Sequence, residues 1–517
     1  MKKMTSSMAR VRDVRITRSG RPARLVGGLA VLAISGIAQI SSASPAGPDA
    51  PVNALIVAQG GAPPAADVSE EISGGNGAFV GESNPSDLEQ VGYVQEEFVA
   101  SGTATDYRPV GDLGTDGRWT FEPDIQAPYR TRILVRRPKD VSTFSGAVVV
   151  EWNNVSGGVD ANPDYASLAE EITRRGHIWV GVTTQLIGVE GGPVLVHAPG
   201  AEAVAGKGLK GIDPARYGTL SHPGDGYSFD IFTQIARAAR RGAPAFGAVN
   251  ARRVLALGES QSAIALTTYY NGIQPRTRAF DGFFVHSRAY VSLPLVPPGK
   301  FADLAGSIGS QSAAIIRTDL DVPVLELQTE ADVTGVLKSV EVRQRDSSHF
   351  RLWEVAGTAH ADAHLLGPIA DNIDCGTPIN NGAMHVVAKA GLRHLDTWVR
   401  TGKAPPKARR IQVTGGDTPE VRRDADGIAL GGIRTPPVDV PVDVLSGVPG
   451  PNPQLLCILL GSTTPLPDAR LAERYSSRRA YQREYNASID KTIKAGFALN
   501  EDRKALRTFA EPSRITD

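Results

Sequence analysis

Four apolar residues, Val254-Leu255-Ala256-Leu257, run directly into Gly258-Glu259-Ser260-Gln261-Ser262, and the stretch Ala263 to Tyr270 that follows reads as a helix. A buried strand that turns at once into a helix can bend only where the flanking residues are small, and the bend leaves the side chain at its apex, Ser260, clear of the backbone. This junction points to the α/β folds, in which strands and helices alternate. Ser262 stands where such an elbow usually carries a second glycine, so the flanks carry more of the signal than the pentapeptide does.

The same rhythm continues on both sides. Ala147-Val148-Val149-Val150 and Ile178-Trp179-Val180-Gly181-Val182 read as strands, and Tyr165 to Arg175 between them places Leu168 and Ile172 on one helical face, with Gly176 at the C-cap position. Gly282–Val285, Val322–Leu327 and Phe350–Val355 supply further strands. The expectation is a mostly parallel, buried central sheet flanked by helices and joined by right-handed crossovers, with the site at the carboxyl ends of the strands. Three stretches break the rhythm: about 186–225, about 288–318 and about 401–517. They are expected to be cap-like insertions over the strand ends and a long, irregular C-terminal addition marked by Thr435-Pro436-Pro437 and Val448-Pro449-Gly450-Pro451, together forming the substrate pocket.

A serine hydroxyl is a weak nucleophile unless a base takes its proton and a carboxylate orients that base. In this fold the chain order is serine, acid, histidine. Two segments after Ser260 fit that order: Leu327-Gln328-Thr329-Glu330-Ala331-Asp332 and Val355-Ala356-Gly357-Thr358-Ala359-His360, each at the end of a predicted strand. His360 is the expected base. Asp332, a few residues past its strand, is favoured as the acid, and Glu330 is the alternative. His360 and His364 lie four apart, a spacing that can bind metal on a helix, but no third ligand stands nearby and no metal site is expected. Backbone donors for a developing oxyanion are expected from Gln261 and from the loop after an early strand, within Asn153-Asn154-Val155. A phosphate loop is excluded there because no Gly-Lys-Ser/Thr follows, and no cofactor is called for. His222-Pro223-Gly224-Asp225 and His286-Ser287-Arg288 read as hydrogen-bonded structural clusters, with the pocket wall as their alternative place.

The 55 basic and 55 acidic residues cancel, so no field would draw in nucleic acid. Residues 1–43 carry Arg10, Arg12, Arg15, Arg18, Arg21 and Arg24, then an apolar run from Leu25 to Ile40, then Ser41-Ser42-Ala43. This is the layout of a cleaved signal peptide, which implies a secreted or periplasmic protein. An uncleaved anchor and a disordered leader are the alternatives. No second run is long enough to span a bilayer, so no stable membrane span is expected once the signal is removed. Residues 44–75 read as a flexible lead-in and 76–517 as the folded domain. Cys375 and Cys457 can pair or remain as two buried thiols, and spacing alone does not choose.

Taken together, several motifs resemble those of the bacterial family of alpha/beta hydrolase domain-containing proteins. They are Val150-Glu151-Trp152-Asn153-Asn154-Val155-Ser156-Gly157-Gly158, Asp213-Pro214-Ala215-Arg216-Tyr217, His222-Pro223-Gly224-Asp225, Gly258-Glu259-Ser260-Gln261-Ser262 and Asp281-Gly282-Phe283-Phe284-Val285-His286-Ser287-Arg288. Thr329-Glu330-Ala331-Asp332, Gly357-Thr358-Ala359-His360-Ala361-Asp362 and Gly431-Gly432-Ile433-Arg434-Thr435-Pro436 complete the set. The resemblance covers the chain from about residue 90 to its C-terminal region. It implies an α/β-hydrolase fold with Ser260 as nucleophile, makes Ser262 a family feature, and leaves the substrate open. The expected activity is hydrolysis of a small-molecule carboxylic ester through an acyl-enzyme on Ser260. Lactone, amide or peptide cleavage on the same residues, a binding protein on a hydrolase fold, and a metallohydrolase using His360 and His364 are the competing readings; oligomeric state is left open.

Overall fold

The computed structural model describes residues 63–82 and 87–517. The expected export segment, residues 1–43, lies outside them. One nine-stranded sheet organises the fold: β1 (Asp67–Glu71), β2 (Tyr93–Pro109), β3 (Phe121–Pro138), β4 (Ala147–Trp152), β5 (Ile178–Val182), β6 (Arg253–Glu259), β7 (Gly282–His286), β8 (Val324–Thr329) and β9 (Phe350–Val355), in the spatial order β1-β2-β3-β5-β4-β6-β7-β8-β9. From β5 outward through β4 to β9 every pairing is parallel, whereas β1, β2, β3 and β5 pair antiparallel.

The parallel strands are buried on both faces, which is why they read as unbroken apolar runs rather than alternating ones. Successive side chains still point to opposite sides. Val148, Val150, Val254 and Ala256 pack toward the helices Ser228–Arg240 and Gln261–Thr268; Val149, Leu255 and Leu257 pack toward Pro163–Arg174 and Met384–Thr401. Truncating one such side chain, as in Leu255→Ala, costs about 2–5 kcal/mol in a core of this kind.

The antiparallel side differs from the sequence expectation. Tyr93–Pro138 is a long two-stranded ribbon in which buried apolar residues come only in short runs such as Phe98-Val99-Ala100 and Ile133-Leu134-Val135, with polar residues between them, so most of its length does not read as an apolar strand. Asp67–Glu71, within the expected lead-in, is corrected to a strand: Val68 is buried while its four neighbours are exposed, and the strand is fixed by backbone pairing to β2.

The stretch 401–517 contains a small hairpin, β10 (Asp443–Ser446) with β11 (Ser462–Pro465), and the helix Arg478–Ala495. Tyr481, Tyr485 and Ile489 of that helix share a core with Val386 of Met384–Thr401, so this region is built onto the sheet's helical layer. Cys375 and Cys457 form a disulfide. It sits among Leu366, Leu456 and Leu460, in a satellite core. Among the described residues no helix is long and apolar enough to cross a membrane.

Candidate active site

β6 ends at Glu259 and a helix starts at Gln261, leaving Ser260 alone in the bend with φ 61° and ψ −120°. A non-glycine residue held at positive φ costs about 1–3 kcal/mol, which the surrounding structure must supply. The Ser260 N–H donates to the carbonyl of His286 at the end of β7, at 2.9 Å. Gly258 shows why the motif needs a glycine: a Cβ there would lie 2.9 Å from the backbone of Ser262 and 3.0 Å from its Cβ. Strand and helix touch at that point, and with glycine on the strand side a serine fits on the helix side.

The bend brings Ser260 Oγ to 2.8 Å from His360 Nε2, and His360 Nδ1 lies 2.7 Å from Asp332 Oδ1. An ionised carboxylate can only accept, so Nδ1–H donates to Asp332 and Nε2 is left to accept from the serine hydroxyl. Asp332 is held by a capping box: Thr329 Oγ1 accepts from the Asp332 N–H at 3.3 Å, and Asp332 Oδ2 accepts from the Thr329 N–H at 2.8 Å. One carboxylate oxygen is thus fixed by the helix start, and the other faces the imidazole.

Glu330, the alternative acid, is corrected by the same geometry. Its carboxylate accepts from the N–H groups of Gly357 (2.7 Å) and Gly447 (2.9 Å) and pairs with Arg423 (2.6 Å). Its oxygens are committed to the loop after β9 and to the C-terminal addition, away from the imidazole. His364 is not a partner of His360 either. Asp362 caps the short helix Ala363–Leu366, so His360 lies before its start and the four-residue spacing does not put both rings on one helical face. The His364 ring stacks on His385 with centroids 3.6 Å apart.

The oxyanion expectation narrows. The Gln261 N–H is the first of the helix, and among the described residues nothing accepts from it. The Asn153 N–H donates to Val182 O (3.1 Å) and the Asn154 N–H to Ala161 O (2.8 Å), so both are consumed in holding the loop. Val155 N–H instead donates to the side-chain carbonyl of Gln261 at 3.2 Å, so it is tied to a side chain rather than to the backbone. The side chain of Gln261 is in turn held by Gln185, and Gln185 by Asp225 at 3.1 Å. Asp225 also accepts from the N–H groups of Leu186 (2.7 Å) and Ala302 (2.8 Å), which ties the two insertions together. In the cluster around His286, that side chain pairs with Asp164 at 2.9 Å and lines a small space together with Glu259 and His360, while buried Arg288 pairs with Glu326 at 2.9 Å.

The sequence reading passed over Glu259. Its carboxylate lies 3.8 Å from His360 Nε2, and burial pushes its pKa up to about 7, against the pull of His360 and His286. Burial opposes charge on His360, yet Asp332 and then Glu259 hold its pKa above the ordinary imidazole value. The signal in the sequence is its place within Gly258–Ser262, but adjacency in sequence does not reveal that its side chain turns toward the histidine.

A cavity of about 240 Å³ opens on Ser260 and His360, and a second of about 190 Å³ adjoins it beside Val155 and Gln261. Both insertions contribute to the walls through Leu195 and Leu304, and the C-terminal addition through Leu455, Leu456 and Leu459.

An open, mostly parallel sheet with a strained serine at a strand-to-helix bend and a histidine at the end of a later strand defines an α/β hydrolase. The chain belongs to the alpha/beta hydrolase domain family Abhydrolase_10, whose profile matches residues 63–508. Among solved structures it is similar to an esterase from Rhizomucor miehei, at 11% identity over 58% of this chain and 86% of that one with TM-score 0.30. It is also similar to an α/β serine hydrolase without lid from Xanthomonas campestris, at 12% identity, 57% and 94% coverage and TM-score 0.28. A third is a thermostable esterase from Pseudomonas putida, at 10% identity, 62% and 86% coverage and TM-score 0.29. No curated protein matches the chain.

Proposed function

We propose that the protein is a serine hydrolase that cleaves carboxylic esters through an acyl-enzyme on Ser260. The observation that carries this reading is the unbroken chain from Ser260 Oγ through His360 to Asp332, at 2.8 Å and 2.7 Å. Ser260 Oγ attacks the carbonyl carbon as His360 Nε2 takes its proton. The oxyanion formed accepts from the Gln261 N–H and, once the Gln261 side chain moves aside, from the Val155 N–H. His360 then gives its proton to the leaving alkoxide. Water, deprotonated by the same nitrogen, releases the acid and restores the serine. Esters fit best because alkoxide loss needs no machinery beyond this set, whereas amides and peptides demand more from the acid step.

Labelling with a fluorophosphonate probe tests the reading: the wild-type protein is expected to take one equivalent, on Ser260, and Ser260→Ala to take none. Equal labelling of both would end it. The pH profile offers a second check. Only neutral His360 can accept the serine proton, so kcat/KM is expected to rise with pH through the pKa of His360, on a limb lying above the ordinary imidazole value. Glu259→Gln removes a carboxylate that raises that pKa to the extent that it is ionised, and the limb is expected to move to lower pH. An unmoved or upward-moved limb would show that Glu259 does not act on His360. We further propose that residues 1–43 export the protein, a point decided by whether the mature protein recovered outside the cytoplasm begins near residue 44.

A further inference from the structure

The cavity that opens on Ser260 and the smaller one adjoining it differ in what stands beside them. The larger is walled near His360 by Leu365, Leu366, Leu455, Leu456 and Leu459. The smaller is walled near Val155 and Gln261 by Ile187, Pro193, Val194, Phe301, Ala302 and Ala305. Ser156, Leu195 and Leu304 line both, so the two spaces meet at a common ridge. Neither wall contains a lysine or arginine; the charged groups lining them besides His360 are Glu82, Glu259 and Asp303.

In the tetrahedral intermediate, the leaving oxygen must sit where His360 Nε2 can protonate it, so the alcohol portion lies on the histidine side. The acyl portion projects away from the histidine, past the donors that hold the oxyanion. From this we infer that the site takes uncharged esters that are apolar on both sides of the scissile bond, with the alcohol in the cavity beside His360 and the acyl chain in the one beside Val155 and Gln261. The inference rests on the reading of Ser260 as nucleophile. At roughly 30 Å³ for each water-sized group, the spaces hold about eight and about six non-hydrogen atoms. A substrate carrying its own carboxylate would meet acidic groups and no cation, and burying that charge unpaired is costly.

The test uses the full chain and a pH-stat, with two series of alkyl esters: one varies the acid at constant butyl alcohol, the other varies the alcohol at constant butanoyl acid. In each, kcat/KM is expected to climb about fourfold per added methylene until the cavity is full, with the acid series levelling off first. Ala305→Phe, at an exposed position, is expected to lower the preferred acid length and leave the alcohol series unchanged. Leu365→Trp, at a half-buried position, is expected to do the converse. Monobutyl esters of dicarboxylic acids are expected to react at least tenfold more slowly than neutral esters of equal length. Each variant is checked for an unchanged thermal midpoint and for full fluorophosphonate labelling. Flat series, variants acting on the opposite arm, or faster cleavage of the charged esters would overturn the two-arm assignment while labelling persists. Loss of labelling in the wild-type protein would instead remove the underlying reading of Ser260.

Discussion

Asp332→Asn is expected to lower kcat by about 10⁴-fold with the fold intact, whereas Glu330→Gln, two residues away, is expected to leave turnover per folded molecule nearly unchanged. The contrast follows from the capping box. Asp332 Oδ2 accepts from the Thr329 N–H, so an asparagine at 332 keeps its carbonyl there and turns its amide toward His360. A donor now faces Nδ1, which must become the acceptor, and the ring proton moves to Nε2, where it confronts the serine it should deprotonate. Glu330→Gln instead weakens the pair with Arg423 and is expected to destabilise the protein by about 2–4 kcal/mol, the upper part of the range for breaking buried pairs being tempered because Arg423 is partly exposed. Steady-state kinetics normalised to the fluorophosphonate-reactive fraction, with thermal unfolding alongside, separates the two effects. A Glu330→Gln enzyme that unfolds normally but has lost turnover would reverse the assignment of the acid.

Replacing both Cys375 and Cys457 by serine is expected to cost about 4–5 kcal/mol, the chain-entropy value for closing a loop of this length, the cysteines being 82 residues apart. The loss should reach the site. The bridge lies next to Leu456, and Leu455, Leu456 and Leu459 wall the cavity beside His360. The double variant is therefore expected to show a lower unfolding midpoint and a higher KM for long-chain alcohols, with short esters little affected. Treating the wild-type protein with a reductant should reproduce both changes. A midpoint indifferent to reductant, with both thiols titratable under oxidising conditions, would count against the bridge. An oxidising compartment is where such a bridge would persist, in line with the export proposed for residues 1–43.

How much of this was legible in the sequence depended on the kind of signal. The parallel strands β4 to β9 are apolar along their length because both faces are covered, and they were readable one by one. The ribbon β2–β3 and strand β1 carry polar residues on half-exposed faces and owe their place to backbone pairing with distant partners, which leaves little local trace. At the site, Ser260 and His360 announced themselves by position at strand ends. Choosing Asp332 over Glu330 needed the turn after β8, where a capping box aims one carboxylate at the histidine and a salt bridge withdraws the other. The loop Asn153–Val155 is legible as a segment, but which of its N–H groups is not tied into the backbone depends on a bridge to Ala161 and on the side chain of Gln261, both long-range facts. The pairing of Cys375 with Cys457 needed coordinates for the same reason.

The grip of Glu330 on Arg423 and on the backbone of Gly447 has a practical outcome for anyone wishing to shorten this protein. Both contacts come from beyond residue 401, and they anchor the residue two positions before the one that steers the imidazole. Trimming the chain at the end of the last sheet-packing helix would look harmless on a topology diagram. It would remove the partners of buried Glu330 and cost stability, so minimal versions for display or crystallisation should retain the stretch 401–517.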